Sequence, residues 1–328
     1  MQRICVIGAG AWGTALAAVA RRAGRNVVLH AHEAETVAAI NTDHENTGFL
    51  PGITLDLAIT ATDDLSAAAE GADAILMVTP AQFLRPTLTA LAPPETTPVV
   101  ICSKGIELDS GKLMNEVAGE AAPGRTFAVL SGPTFAAEVA RGLPTAVTLA
   151  SEDADVAAAL ATALGTPSFR PYTAGDVIGA EVGGAIKNVI AIACGIVDGR
   201  RLGQNARAAV IARGLAEIAR FAATLGADPR TLMGLSGLGD LTLTCTSVAS
   251  RNYSLGEALG RGETLEQVMS GRRSVAEGVT TAPAVLTRAA ALGVEMPICA
   301  AVSAILHDGA GVDATIAEVL ARPLRTED

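Results

Sequence analysis

Between residue 3 and about residue 172 the chain alternates short apolar, β-rich runs with longer alanine-rich stretches whose apolar positions recur at helical spacing. The runs predict strands over 4–7, 27–30, 58–60, 74–78, 99–103, 127–130, 146–149 and 169–172. The stretches between them predict helices, among them 12–23, 33–41, 83–91 and 153–164. Strand and helix in alternation is the pattern of a parallel sheet flanked by helices, so this half is expected to be doubly wound α/β. After about residue 175 the strand-like runs disappear. Helical spacing then predicts helices over 178–196, 206–225, 282–292 and 298–306, with Gly226, Gly293 and Asp308-Gly309 as stop signals for three of them. Two domains are expected, 1–175 α/β and 176–328 all-helical, and no internal repeat of fixed period is visible.

Composition supports a large buried core, since half of the 328 residues are hydrophobic. The net charge of -10, with no Lys/Arg run longer than two, argues against a nucleic-acid face. Five scattered cysteines (Cys5, Cys102, Cys194, Cys245, Cys299) include no CxxC pair, and the four histidines form no HExxH helix. Buried free thiols in a reducing compartment and no structural metal are therefore expected. Residues 1–20 superficially suit a secretory leader, but a strand-turn-helix accounts for their three glycines and tryptophan, and a leader does not. The apolar stretch 177–197 contains Glu181 and Lys187, charges that are costly at a bilayer midplane, so a buried helix is expected there rather than a membrane span.

Gly8-Ala9-Gly10-Ala11-Trp12-Gly13 follows the first strand and opens a helix, matching G-x-G-x-x-G in the context that gives the motif meaning. Gly8 permits the tight turn, Gly10 lets backbone approach a pyrophosphate, and Gly13 allows close helix-strand packing. Free N–H groups at the helix start would hold the anion without a side-chain cation. Glu33 stands near the end of the second strand, at the spacing of a ribose-binding carboxylate, beside His32, which could touch the adenine end of the cofactor or help bind a 2′-phosphate. Glu33 could equally begin a solvated helix, and NADH versus NADPH stays open.

Only three of the 24 basic residues are lysines, Lys104, Lys112 and Lys187. Lys187 lies on a stretch otherwise apolar or small, where burial would lower its pKa from about 10.4 toward the 7–8 that suits a general acid/base. Gly183 and Gly184, one turn back, are expected to leave room above the amine for a cofactor ring or substrate. A snorkelling or salt-bridged core lysine would show the same pattern. Lys104 ends a strand, where ligand-binding residues of open α/β sheets collect. Ser131-Gly132-Pro133-Thr134-Phe135 follows another strand and starts a helix, a candidate anion or hydroxyl site or an ordinary cap. In the helical half Arg251 is suited to phosphate by its planar, permanently charged guanidinium, and Asp240 to substrate hydroxyls, although either also reads as a loop or cap residue.

Together these residues resemble the soluble bacterial-type NAD(P)-dependent glycerol-3-phosphate dehydrogenase family over nearly the whole chain. The matching stretches are Gly8-Ala-Gly-Ala-Trp-Gly-Thr-Ala-Leu-Ala, Ser103-Lys-Gly-Ile-Glu, Ser131-Gly-Pro-Thr-Phe-Ala-Ala-Glu-Val, Gly184-Ala-Ile-Lys-Asn-Val-Ile-Ala, Asn205-Ala-Arg-Ala-Ala, Gly237-Leu-Gly-Asp-Leu, Thr244-Cys-Thr-Ser and Ser250-Arg-Asn. The resemblance implies a Rossmann-type sheet followed by a helical domain, with Lys187 as catalytic acid/base. It implies that Lys104, Gly132, Thr134, Lys187, Asp240, Ser250, Arg251 and Asn252 surround glycerol 3-phosphate. By the same carry-over Ala11, Trp12, His32, Phe49, Lys104, Ala136, Arg251, Val275 and Glu277 contact the dinucleotide, NAD or NADP. A cytoplasmic homodimer that interconverts dihydroxyacetone phosphate and glycerol 3-phosphate for phospholipid synthesis is the implied protein. Glu33 departs from the family, whose members often carry a basic residue after the histidine; a carboxylate there would repel a 2′-phosphate.

Overall fold

The structure is a computed structural model, described here for residues 1–270 and 276–323. The described residues form ten strands: β1 (Arg3–Ile7), β2 (Asn26–His30), β3 (Glu45–Asn46), β4 (Leu50–Thr54), β5 (Ile59–Thr62), β6 (Ala74–Met77), β7 (Val99–Ile101), β8 (Phe127–Ser131), β9 (Thr145–Ser151) and β10 (Phe169–Ala174). Eight form one sheet in the order β10-β9-β8-β7-β6-β1-β2-β5. β6 and β7 are buried at every position, as strands covered by helices on both faces must be. Ile7 lies opposite His30 of β2 and Met77 of β6, so the turns after β1, β2 and β6 open at one edge of the sheet. That edge is where open α/β sheets bind ligands.

The expected all-parallel sheet holds for six strands and fails for two. β9 runs antiparallel to β8, and β10 follows β9, so both oppose the other six. The physical reason is the connection from Ser131 to Thr145, whose only helix, Ala136–Ala140, has five residues and turns the chain back beside β8 instead of crossing over the sheet. A further departure is the small β3–β4 hairpin, which periodicity did not predict because its strands are short and interrupted by Pro51 and Gly52.

Among the described residues every element after Ala174 is helical. The spine is the helix Val177–Gly199, capped by Asp176, whose carboxylate accepts from Gly179 N–H at 2.8 Å. Length and apolar composition alone would let it cross a membrane, yet it is buried inside the fold, packed against Gln204–Thr224, Asp240–Cys245, Arg251–Gly260 and Glu277–Ala291. Glycines let the Arg251–Gly260 helix touch it backbone to backbone: a Cβ at Gly195 would stand 2.1 Å from the Tyr253 carbonyl oxygen, and one at Gly256 would stand 2.0 Å from that of Ile192. The Glu277–Ala291 helix starts earlier than periodicity predicts and runs through Pro283, which reads as punctuation because it lacks an N–H. The short helices Met114–Ala121, Asp240–Cys245 and Arg251–Gly260 were also outside the predicted set. All five cysteines are free and buried.

Candidate active site

The glycine-rich turn has the geometry its spacing demands. Gly8 adopts φ +109°, open to glycine and strained for other residues, and its N–H donates to the His30 carbonyl at 3.1 Å. A Cβ at Gly13 would stand 1.8 Å from the Gly8 carbonyl oxygen, whereas one at Gly10 would meet nothing within 4 Å. Gly10 is the N-cap of the helix Ala11–Arg22 and supplies no side-chain cap, so the first N–H groups of this twelve-residue helix face an open cradle. These features fit a dinucleotide pyrophosphate. Trp12, Ala11 and Ala136 pack against one hydrophobic cluster beside the turn. His32 and Glu33 are exposed just past β2, with Glu33 as N-cap of Ala34–Asp43 and no capping bond from its side chain. Phe49 lies in the β3–β4 turn; Val275 is outside the described residues.

The second part of the site joins the two halves of the chain. Lys187, 6% exposed at the middle of the buried helix, donates from Nζ to Asp240 Oδ1 at 2.6 Å and to Thr244 Oγ1 at 2.8 Å. Lys104, just beyond β7, donates to the other Asp240 oxygen at 2.7 Å and to the Gly132 carbonyl at 3.2 Å. A fully buried carboxylate thus bridges two ammonium groups, one from each half. Burial lowers the Lys187 pKa to about 8, opposed by the charge of Asp240 and assisted by that of Lys104. With both lysines charged the cluster carries one net positive charge, suited to oxygen that gains negative charge.

Several expectations change in this setting. The Lys187 amine is salt-bridged as well as buried. The room expected at Gly183 and Gly184 is filled: a Cβ at 183 would stand 2.4 Å from the Ser236 carbonyl oxygen, and one at 184 would stand 2.7 Å from Ser131 Oγ. Gly183 admits the π-helical turn Leu235–Gly239, which carries Asp240 toward the lysines, and Gly184 admits the side chains of Ser131 and Lys104. The Ser131–Phe135 segment starts only the five-residue helix Ala136–Ala140, whose N-cap is Phe135, too short for a useful dipole; Thr134 Oγ1 donates to the Gly132 carbonyl at 3.2 Å. Asp240 turns both oxygens to lysines rather than to open space. Gly132, at φ +149° and with Val147 Cα 3.0 Å from where a Cβ would stand, has no space for a side chain.

Ser250 caps the helix Arg251–Gly260 by accepting from Tyr253 N–H, and Arg251 is exposed at its first position. The positive charge of Arg251 acts on Glu277, whose pKa burial nevertheless pushes up to about 7. A Cβ at Gly105 would stand 3.7 Å from Glu277 Oε2, which places this carboxylate beside the Lys104 loop. Asn252 points inward: its Nδ2 donates to Asn188 Oδ1 and its Oδ1 accepts from Gly278 N–H, each at 3.0 Å. Asn188 and Thr244 fall in matching stretches of the sequence but were given no site role there. Thr244 carries a signal, since it lies one helical turn after Asp240 on the same face; Asn188 carries none beyond adjacency to Lys187.

A glycine-rich turn at the switch point of a Rossmann sheet, with a titratable lysine from a helical half linked through Asp240 to the same sheet edge, is the arrangement of a nicotinamide-dependent oxidoreductase. Two family models match the chain: the N-terminal region of NAD-dependent glycerol-3-phosphate dehydrogenase over residues 3–157 and its C-terminal region over 176–317. The chain belongs to that family. It is 60% identical over 328 residues to a Caulobacter vibrioides protein named glycerol-3-phosphate dehydrogenase acting with NAD(P)+, covering 99% of each chain. A Rhodospirillum rubrum protein of the same name is 59% identical over 329 residues, covering all of this chain and 94% of the relative. Among solved structures, glycerol-3-phosphate dehydrogenase from Coxiella burnetii superposes with a TM-score of 0.95 at 38% identity, covering 98% of this chain and 99% of the other.

Proposed function

We propose that this chain interconverts dihydroxyacetone phosphate and sn-glycerol 3-phosphate, using NADH or NADPH for the reduction, and so supplies the glycerol phosphate backbone of phospholipids. The observation that carries it is the Lys187–Asp240–Lys104 bridge at the sheet edge where the glycine-rich turn opens, in a chain whose relatives bear that name. Residues 1–175 hold the dinucleotide; residues 176–328 supply the substrate pocket and the catalytic lysine. When bound, the reduced nicotinamide supplies a hydride to the carbonyl carbon. Lys187 donates the proton to the carbonyl oxygen as charge grows there, and in the oxidation its neutral amine takes that proton back. Asp240 and Thr244 aim the amine, and Lys104 adds positive charge on the same side. Arg251 anchors the substrate phosphate away from the reacting carbon.

Assaying NADH and NADPH oxidation with dihydroxyacetone phosphate tests this directly; turnover with neither dinucleotide would overturn it. A ketoacid reductase or a non-catalytic dinucleotide sensor is not favoured by the relatives' names. The protein is proposed to work in the cytoplasm as a homodimer, without nucleic-acid partners. Its apolar groove between the helices Gln204–Thr224, Pro297–His307 and Val312–Leu320, of about 1710 Å³, suits a subunit contact. Sedimentation velocity checks this reading: a single monomeric species at micromolar concentration contradicts the dimer.

A further inference from the structure

One buried side chain outside the motifs ties the dinucleotide-type turn to the hairpin beside it. Asn46, in β3 and 1% exposed, donates from Nδ2 to the Ala9 carbonyl at 2.7 Å and to Thr14 Oγ1 at 2.8 Å. Its Oδ1 accepts from Phe49 N–H at 3.1 Å. Every polar atom of this amide side chain is therefore engaged, and each contact is to a segment that frames the cradle. Thr14, fully buried, completes the brace, with its hydroxyl 3.5 Å from the same Ala9 carbonyl.

The consequence follows from the planar trans peptide. The Ala9 carbonyl and the Gly10 N–H belong to one peptide unit and point in opposite directions. Holding the carbonyl toward Asn46 turns the Gly10 N–H away from Asn46. Released from Asn46, the peptide could rotate and present its carbonyl dipole to an incoming anion. Through Phe49 the same amide also fixes the hairpin turn against the glycine turn.

We propose that Asn46 is a positioning residue for the dinucleotide, one that never touches the ligand but sets the direction of the Gly10 N–H and the seat of Phe49. This rests on the dinucleotide reading given above. Asn46→Asp tests it most sharply, because the substitution keeps the shape and the acceptor for Phe49 but removes the donor and sets a carboxylate against the Ala9 carbonyl.

Binding of NADH and NADPH is read from the fluorescence of Trp12, the chain's only tryptophan, which lies within the turn. The variant is expected to bind both dinucleotides at least tenfold more weakly and to raise KM for NAD(P)H in parallel. Its kcat at saturating dinucleotide should stay within about twofold, and its KM for dihydroxyacetone phosphate should not move. If Asn46→Asp does not fold, the same comparison is made on Asn46→Ala, which loses the donor without adding charge. Unchanged dinucleotide affinity, or a kcat that falls as far as the affinity, would overturn the proposal. Failure of the unsubstituted protein to bind either dinucleotide would instead overturn the reading on which the proposal rests.

Discussion

At the scale of single residues, Lys187 is a base made weak by burial and kept charged by one carboxylate. With its pKa lowered to about 8, the ammonium dominates below that pH and the neutral amine above it. In the proposed reduction the ammonium is the proton donor, so kcat should fall as pH rises through about 8, while the oxidation rate climbs over the same interval; pH–rate profiles in both directions check the sign. Lys187→Ala should cost about 10²–10⁴-fold in kcat and leave dinucleotide binding within twofold. Lys187→Arg should not rescue it, since a guanidinium does not titrate in this range. Glu33 is exposed at the end of β2, and Glu33→Arg should raise the NADPH-to-NADH ratio of kcat/KM about tenfold, a change of about 1.4 kcal/mol. An unchanged ratio would show that residue 33 does not face the ribose.

At the scale of elements, the glycine turn depends on a contact that admits no side chain. Gly13→Ala would drive a methyl into the Gly8 carbonyl oxygen, and overpacking of this kind costs about 1–3 kcal/mol even where neighbours can yield. Thermal unfolding should show a lower Tm, and NADH titration at least a tenfold weaker Kd; a variant that binds normally would mean that the helix can shift without moving its N–H groups. This motif was legible in the sequence because its residues are contiguous and each glycine answers a local steric demand. The direction of β9 was not legible, since a strand's burial pattern is the same whichever way it runs. The β3–β4 hairpin was hidden for another reason: its strands are too short to show a period, yet it brings Asn46 to the turn.

At the scale of the whole molecule, the two halves meet through buried ionisable groups. Besides the Lys104–Asp240–Lys187 bridge, Glu181 on the long helix accepts from Asn115 N–H at 2.9 Å, at the start of a helix in the α/β half. Burial pushes its pKa up to about 8. Between about 4.5, the ordinary value, and about 8 the unfolded chain is ionised here while the folded protein holds its proton, so this group's contribution to stability falls as pH rises across that window. Glu181→Gln keeps an acceptor for Asn115 and removes the titration. The variant should have a flatter Tm-against-pH curve over that window and a Tm at pH 8 higher than that of the unsubstituted protein by about 3 °C or more; parallel curves would show that folding does not raise the Glu181 pKa.

Sequence alone determined the order of strand and helix, the change of texture at about residue 175, the glycine-rich turn and the few lysines worth attention, because each is written in neighbouring residues or in a local period. Tertiary structure alone decided that Asp240 faces two lysines 53 and 136 positions away, that Gly183 is packed by backbone and Gly184 by the side chains of Ser131 and Lys104, and that Asn46 braces the turn. Contacts of that kind depend on which elements pack together, and a one-dimensional pattern records the faces an element presents but not the partner each face receives.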